Sequence, residues 1–171
     1  MTAGIGRYGS NPDGTGRTNI SDTNGGSCGN SSSETNPNGV DEVITTPMTF
    51  AASANCALYC GARPVFADID PETYNIDPAS IEAHITEHTK AVVAVDYTGQ
   101  AVKLDEIKAI CKKHNLVLIE DAAHAIGTKY KGQAVGSIAD MTTFSFHPVK
   151  TITGGEGGAI LTDNDEYYQK L

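Results

Sequence analysis

The chain is predicted to be an α/β domain, a mostly parallel sheet sandwiched by helices, and three observations carry that expectation. Short β-branched runs alternate with longer amphipathic stretches several times between residues 40 and 171. Gly and Pro punctuate the boundaries between them. Two of the runs, AVVAVD (91–96) and LVLIED (116–121), are apolar almost to their last residues, as strands covered on both faces are. Strand, helix and strand repeated in this way define a parallel sheet with helices on its faces.

The elements follow in order. VITTP (43–47) reads as a strand, and AASANCALYCGA (51–62) as a helix that Gly61 closes at its C-terminal end. PVFADI (64–69) is a second strand. Asp77-Pro78 supplies an N-cap and a first-turn proline for a helix through Ile81 and Ile85 to about His88. AVVAVD is the third strand. In LDEIKAICKKHN (104–115), Leu104, Ile107, Ile110 and Cys111 form one helical stripe, with Lys112, Lys113 and His114 in the last turn, where the helix dipole favours cations. LVLIED is the fourth strand. MTTFSF (141–146) and GAILT (158–162) are two further strands joined by a Gly-rich loop, and a last helix begins at residues 163–165.

Composition divides the chain near residue 40. Gly, Ser, Asn and Thr fill 26 of the first 40 positions, and the aliphatic residues Ile5, Ile20 and Val40 are too few to offset the entropy of ordering. Residues 1–39 are therefore expected to be a low-complexity, disordered leader, or ordered only against a partner. With 171 residues, the chain suffices for one domain, 40–171, with a real core. Its 12 basic and 21 acidic residues give a net charge of −9, which argues against a nucleic-acid surface. No apolar run approaches the ~20 residues of a membrane helix, and MTAGIGRYGSNP lacks the order of a signal peptide, so a cytoplasmic location is expected. Cys28, Cys56, Cys60 and Cys111 match no disulfide framework and no complete zinc signature; they read as free thiols, with Cys56 and Cys60 packing on one helix face. No metal is expected.

In a sheet of this kind, ligands sit beyond the carboxyl ends of the strands. That rule selects Pro47 to Phe50, Asp96 and Tyr97, Asp121 to His124, and Ser145 to His147 as candidate walls. LVLIED ends on two acids, Glu120 and Asp121, with His124 shortly after. Asp121 is either a cap for the next turn or a carboxylate awaiting a cation. FSFHPVKTITGGEGGAI (144–160) places Lys150 between an aromatic strand end and a run of glycines that permits close backbone approach. A lysine in that plane is suited to form a Schiff base with a carbonyl cofactor, and Asp121 then has a role as partner of a protonated ring nitrogen.

These segments carry a resemblance. DEVITTPMTFAASANCALYCGARPVFADID (41–70), IEDAAHAIG (119–127) and SFHPVKTITGGEGG (145–158) resemble the DegT/StrS-type sugar-nucleotide aminotransferases, pyridoxal-phosphate (PLP) enzymes of the aspartate-aminotransferase fold. The resemblance implies Lys150 as Schiff-base lysine and catalytic acid/base and Asp121 as partner of the pyridine nitrogen. It also implies Phe50 as the aromatic stacked on the ring, Ser145 as a hydroxyl near the phosphate, and His124 as a polar contact to the ring. Without it, Phe50 reads equally as a core residue.

DYTGQ (96–100) resembles the subgroup that aminates UDP-linked 4-keto-6-deoxy-N-acetyl hexosamines on the route to pseudaminic acid. The resemblance further implies glutamate as amino donor and a homodimer. It departs from the family's pattern in residues 1–40, which show no phosphate-cradling turn, and after Leu171, where relatives continue into a small domain. Residues 40–171 thus look like part of a large PLP-binding domain, and little or no transamination is expected from this polypeptide alone. A non-catalytic or truncated module of the same fold is the competing expectation.

Overall fold

A computed structural model of the chain describes residues 40–171 in full, together with the backbone of Thr2–Gly4. The rest of the expected leader, with Cys28, lies outside the described residues.

Seven strands form one sheet in the order β1-β9-β8-β5-β4-β2-β3. They are β1 (Thr2–Gly4), β2 (Glu42–Thr45), β3 (Arg63–Phe66), β4 (Thr89–Val95), β5 (Val117–Asp121), β8 (Met141–Ser145) and β9 (Gly158–Thr162). The central strands are parallel, whereas β9 runs antiparallel to β8, and β1 antiparallel to β9. The chain leaves β2 toward β3 on one side and then returns to build β4, β5 and β8 on the other, so the winding reverses between β2 and β4. Right-handed crossovers on either side of such a reversal put their helices on opposite faces of the sheet. Helix α1 (Ala52–Tyr59) accordingly covers one face near β2 and β3. Helices α2 (Pro78–His84) and α3 (Leu104–His114) pack together on the other.

The second face holds the main core. Ile44, Val92, Ala94 and Leu118 point from the strands onto Ile81, Leu104, Ile107 and Cys111 of the helices, as the alternation of a strand and the helical stripe require. The local signals work as expected at several ends. Asp77 accepts a hydrogen bond from Ala79 N at 3.1 Å, Asn164 caps the short helix α4 (Asp165–Tyr168), and Gly61 follows α1 with φ +73°. At the amino end of β2 the buried carboxylate of Glu42 accepts from Thr86 Oγ1 at 2.6 Å and from the Arg63 guanidinium; these donors hold it below the usual carboxylate range.

Two expectations need correction, one alternative falls away, and one element was not expected. The second helix ends at His84 and not near His88, because Ile85 is extended with ψ 129°. Cys56 and Cys60 are exposed rather than packed; α1 buries Ser53 and Ala57, and its cysteines fall on the outer side. Phe50 is 80% exposed and is no core residue. A hairpin, β6 (Lys129–Tyr130) with β7 (Gln133–Ala134), was not foreseen, since two-residue strands carry no periodicity.

Candidate functional site

The carboxyl ends of β2, β4, β5 and β8 lie on one edge, next to the winding reversal, where α/β sheets hold ligands. Every wall expected from the sequence stands there.

Asp121 ends β5 and is half-buried. Both of its oxygens accept hydrogen bonds. Oδ1 accepts from Ala123 N at 3.2 Å, a turn-capping bond, and Oδ2 accepts from Ser53 Oγ at 2.8 Å. Ser53 in turn is 2.8 Å from Thr49 Oγ1. Helix α1, on the face to which Asp121 points, thus fixes the carboxylate through a hydroxyl chain. Ser53 was not singled out from the sequence; its signal is a small polar residue, 4% exposed, in the first turn of a helix that enters directly from a strand end.

Lys150 lies in the loop between β8 and β9, half-buried. Its Nζ is 2.7 Å from His124 Nε2, and the neighbouring Thr151 Oγ1 donates to His124 O at 3.2 Å. The loop is closed at its base by Phe146 N to Gly157 O at 2.8 Å and Gly154 N to Phe146 O at 3.0 Å. The lysine loop is therefore docked on the turn that follows Asp121. Ser145, last in β8, accepts from His147 N at 3.4 Å. Because Asp121 pairs with Thr143, Ser145 lies two residues farther along the same face. Phe50 projects from the start of α1, exposed beside this edge.

The turn after β4 completes the wall. Thr98 and Gly99 take φ of 54° and 92°, and a Cβ on Gly99 would stand 2.8 Å from the carbonyl oxygen of His124. Only glycine lets the turn rest on that carbonyl. Asn75, 5% exposed, ties the turn down by accepting from Tyr97 N at 2.9 Å and donating to the carbonyls of Gln100 and Ala101.

The arrangement joins an amine, an imidazole, a carboxylate oriented by two donors and an exposed aromatic ring. Those groups fit the aldehyde and pyridine ends of PLP. Among the described residues no group of His, Cys, Asp and Glu side chains is placed to hold a metal ion, and no helix is long and apolar enough to cross a membrane.

Residues 32–171 match the model of the DegT/DnrJ/EryC1/StrS aminotransferase family, and the chain belongs to that family. It is 49% identical over 138 residues to the UDP-4-amino-4,6-dideoxy-N-acetyl-β-L-altrosamine transaminase of Campylobacter jejuni, covering 78% of this chain and 36% of that protein. It is also 49% identical over 131 residues to the GDP-perosamine synthase of Caulobacter vibrioides, covering 77% and 35%. Among solved structures, Helicobacter pylori PseC, an aminotransferase involved in the biosynthesis of pseudaminic acid, superposes with a TM-score of 0.74 at 45% identity, covering 76% of this chain and 35% of that one. The chain thus spans about a third of the length of the relatives it matches. The fold is that of the large domain of these aminotransferases, and the family indicates PLP as the cofactor.

Proposed function

We propose that this chain is the cofactor-binding part of an aminotransferase that aminates a nucleotide-linked 4-keto-6-deoxy sugar, with Lys150 as the lysine that carries PLP and moves the substrate proton. The carrying observation is the Lys150 amine, 2.7 Å from His124 Nε2, in a loop docked on the turn that begins at the fixed carboxylate of Asp121. Bound PLP supplies an electron sink for negative charge at the carbon being deprotonated.

The chain's own residues do the rest. Lys150 Nζ takes up and returns that proton, and His124 Nε2 orients the amine. The Asp121 carboxylate, held by Ser53 and Ala123, would keep the cofactor's ring nitrogen protonated. Phe50 offers a stacking surface, and Ser145 a hydroxyl for the phosphate. A UDP-linked N-acetyl hexosamine is the sugar this reading favours, on the DYTGQ segment and the likeness to the altrosamine transaminase. Glutamate as donor, a homodimer and a cytoplasmic setting belong to the same reading.

Adding PLP to the folded chain is expected to produce a visible absorption band and, after borohydride reduction, a stable mass increase on the peptide containing Lys150. Lys150→Ala should show neither. Folded protein without a band would sink the cofactor assignment. Ser53→Ala removes a hydrogen bond to a charged group that contributes about 1.5–3 kcal/mol to the folded state, and with Asp121 no longer held by Ser53, PLP should bind more weakly in the same titration.

A further inference from the structure

Two carboxyl groups on the helix-covered face of the sheet have no place in the chemistry above. Asp96, 2% exposed, directly follows β4, and Glu120, fully buried, precedes Asp121 in β5. Strand alternation turns Glu120 away from the Asp121 side chain, toward the face that carries α3. One oxygen of each acid is satisfied. Asp96 Oδ1 accepts from Val102 N at 2.9 Å; Glu120 Oε2 accepts from Thr142 Oγ1 at 2.8 Å and Gly136 N at 3.3 Å. The other oxygen of each, Asp96 Oδ2 and Glu120 Oε1, is buried and reached by no donor. Strand register brings the two carboxyls together: Ala94 of β4 lies opposite Glu120 of β5, so Asp96, two residues farther along, stands on the same face one diagonal step from Glu120.

Two adjacent buried carboxylates do not both stay ionised, because desolvation and mutual repulsion each oppose the second charge. One proton between them satisfies both orphaned oxygens at once. Glu120, which already accepts two donors, is the better anion, and Asp96 the better acid. Burial, then the charges of Glu120 and Asp121, push Asp96 up to about 8, and burial raises Glu120 as well.

The pair also sits where it governs the site's geometry. Asp96 N donates to Asp121 O at 3.0 Å, and the Asp96 side chain closes the 96–102 turn on Val102. That turn holds Thr98 at positive φ and rests through Gly99 on the His124 carbonyl, while Thr128 Oγ1 donates to Gly99 O at 2.9 Å. A β-branched residue at positive φ persists only where its surroundings over-determine it.

We propose that Asp96 and Glu120 share one proton, Asp96 Oδ2 donating to Glu120 Oε1, and that this buried acid pair positions Asp121 and His124 from behind the sheet. Its positioning half rests on the cofactor reading; its proton does not.

Infrared spectra and pH-dependent unfolding of the full chain test the proton first. A carboxylic-acid carbonyl band should persist at pH 7, where ordinary carboxyls are ionised, and vanish as the pH passes about 8. The folded chain binds a proton that the unfolded chain has released above pH ~4. The pair's contribution to stability is therefore fully present below ~4, declines with up to one proton per unfolding event, and is lost through about 8. Asp96→Asn gives Glu120 a permanent N–H donor, so band and slope should disappear with the fold intact; Glu120→Gln should behave alike. Together the two amides oppose donor to donor, and the double variant should be less stable than the sum of the singles. Absence of the acid band at pH 7 in folded protein, or additive amides, would overturn the shared proton.

For positioning, PLP affinity should fall above about pH 8 in the parent chain and lose that dependence in Asp96→Asn. A profile unchanged by Asp96→Asn would overturn the positioning role. PLP failing to bind at any pH would overturn the cofactor reading instead, with the proton still decided by the band.

Discussion

On the proposed function, whatever transfer of an amino group from donor to cofactor the protein supports is expected to slow by about 10²–10⁴-fold in Lys150→Ala, the range removed when a positioned acid/base is lost. That corresponds to about 3–5 kcal/mol in the barrier. Stability should hardly change, because the side chain's hydrogen bond to His124 is an exposed contact, and the backbone bond from Lys150 N to His147 O survives the substitution. Exposed polar contacts contribute little to folding. Lys150→Arg separates charge from proton transfer: a guanidinium keeps the cation but does not release a proton in this range. It should therefore be as slow as alanine. The measurement is single-turnover conversion of the bound cofactor by glutamate, followed by absorbance, with thermal melts as a control. A small primary amine added to Lys150→Ala should recover part of the rate, since it can carry the proton from solution. A rate within tenfold of the parent chain would remove Lys150 from the proton transfer.

Much of the fold was readable because the signals were local or periodic. The apolar runs 91–96 and 116–121, the Asp77 cap and the Leu104–Ile107–Cys111 stripe each dictate an element by themselves, and the alternation of elements dictates a parallel sheet. Elements made by partners were not readable. The Lys129–Tyr130 hairpin is too short for a pattern, and Thr2–Gly4 pairs with β9 from within a segment too polar to suggest a strand. Helix α1 shows the same limit differently: its apolar sequence predicts a helix but not which side is covered, and Cys56, Leu58 and Tyr59 lie outward.

The site divides along the same line. Lys150, Asp121 and His124 stood out because their residue types and their place at strand ends carry chemistry. Ser53, which orients Asp121 across 68 positions, and the Asp96–Glu120 pair, which needs two strands in register, depend on contacts that no spacing within one segment encodes.

Leu118→Ala should be among the most damaging single substitutions, at about 2–5 kcal/mol. Leu118 is fully buried in β5, which runs between β4 and β8, and belongs to the cluster that joins Ile44 and Val92 to Ile107 and Cys111. Its neighbours cannot close on the space, because the backbone is pinned: Asp140 Oδ2 accepts from Leu118 N at 2.8 Å and Asp140 N donates to Leu118 O at 3.1 Å on one edge, and β4 pairs with it on the other. Native domains are stable by only ~5–15 kcal/mol, so a loss of this size consumes a large share of the total. The next residue provides the contrast. Ile119 points to the opposite face, which α1 covers only near β2 and β3, and is half-buried. Ile119→Ala should therefore cost less than half as much. Urea unfolding measures both, as a fall in midpoint at constant slope. Equal losses at 118 and 119 would contradict a sheet whose main core lies on the α2–α3 face.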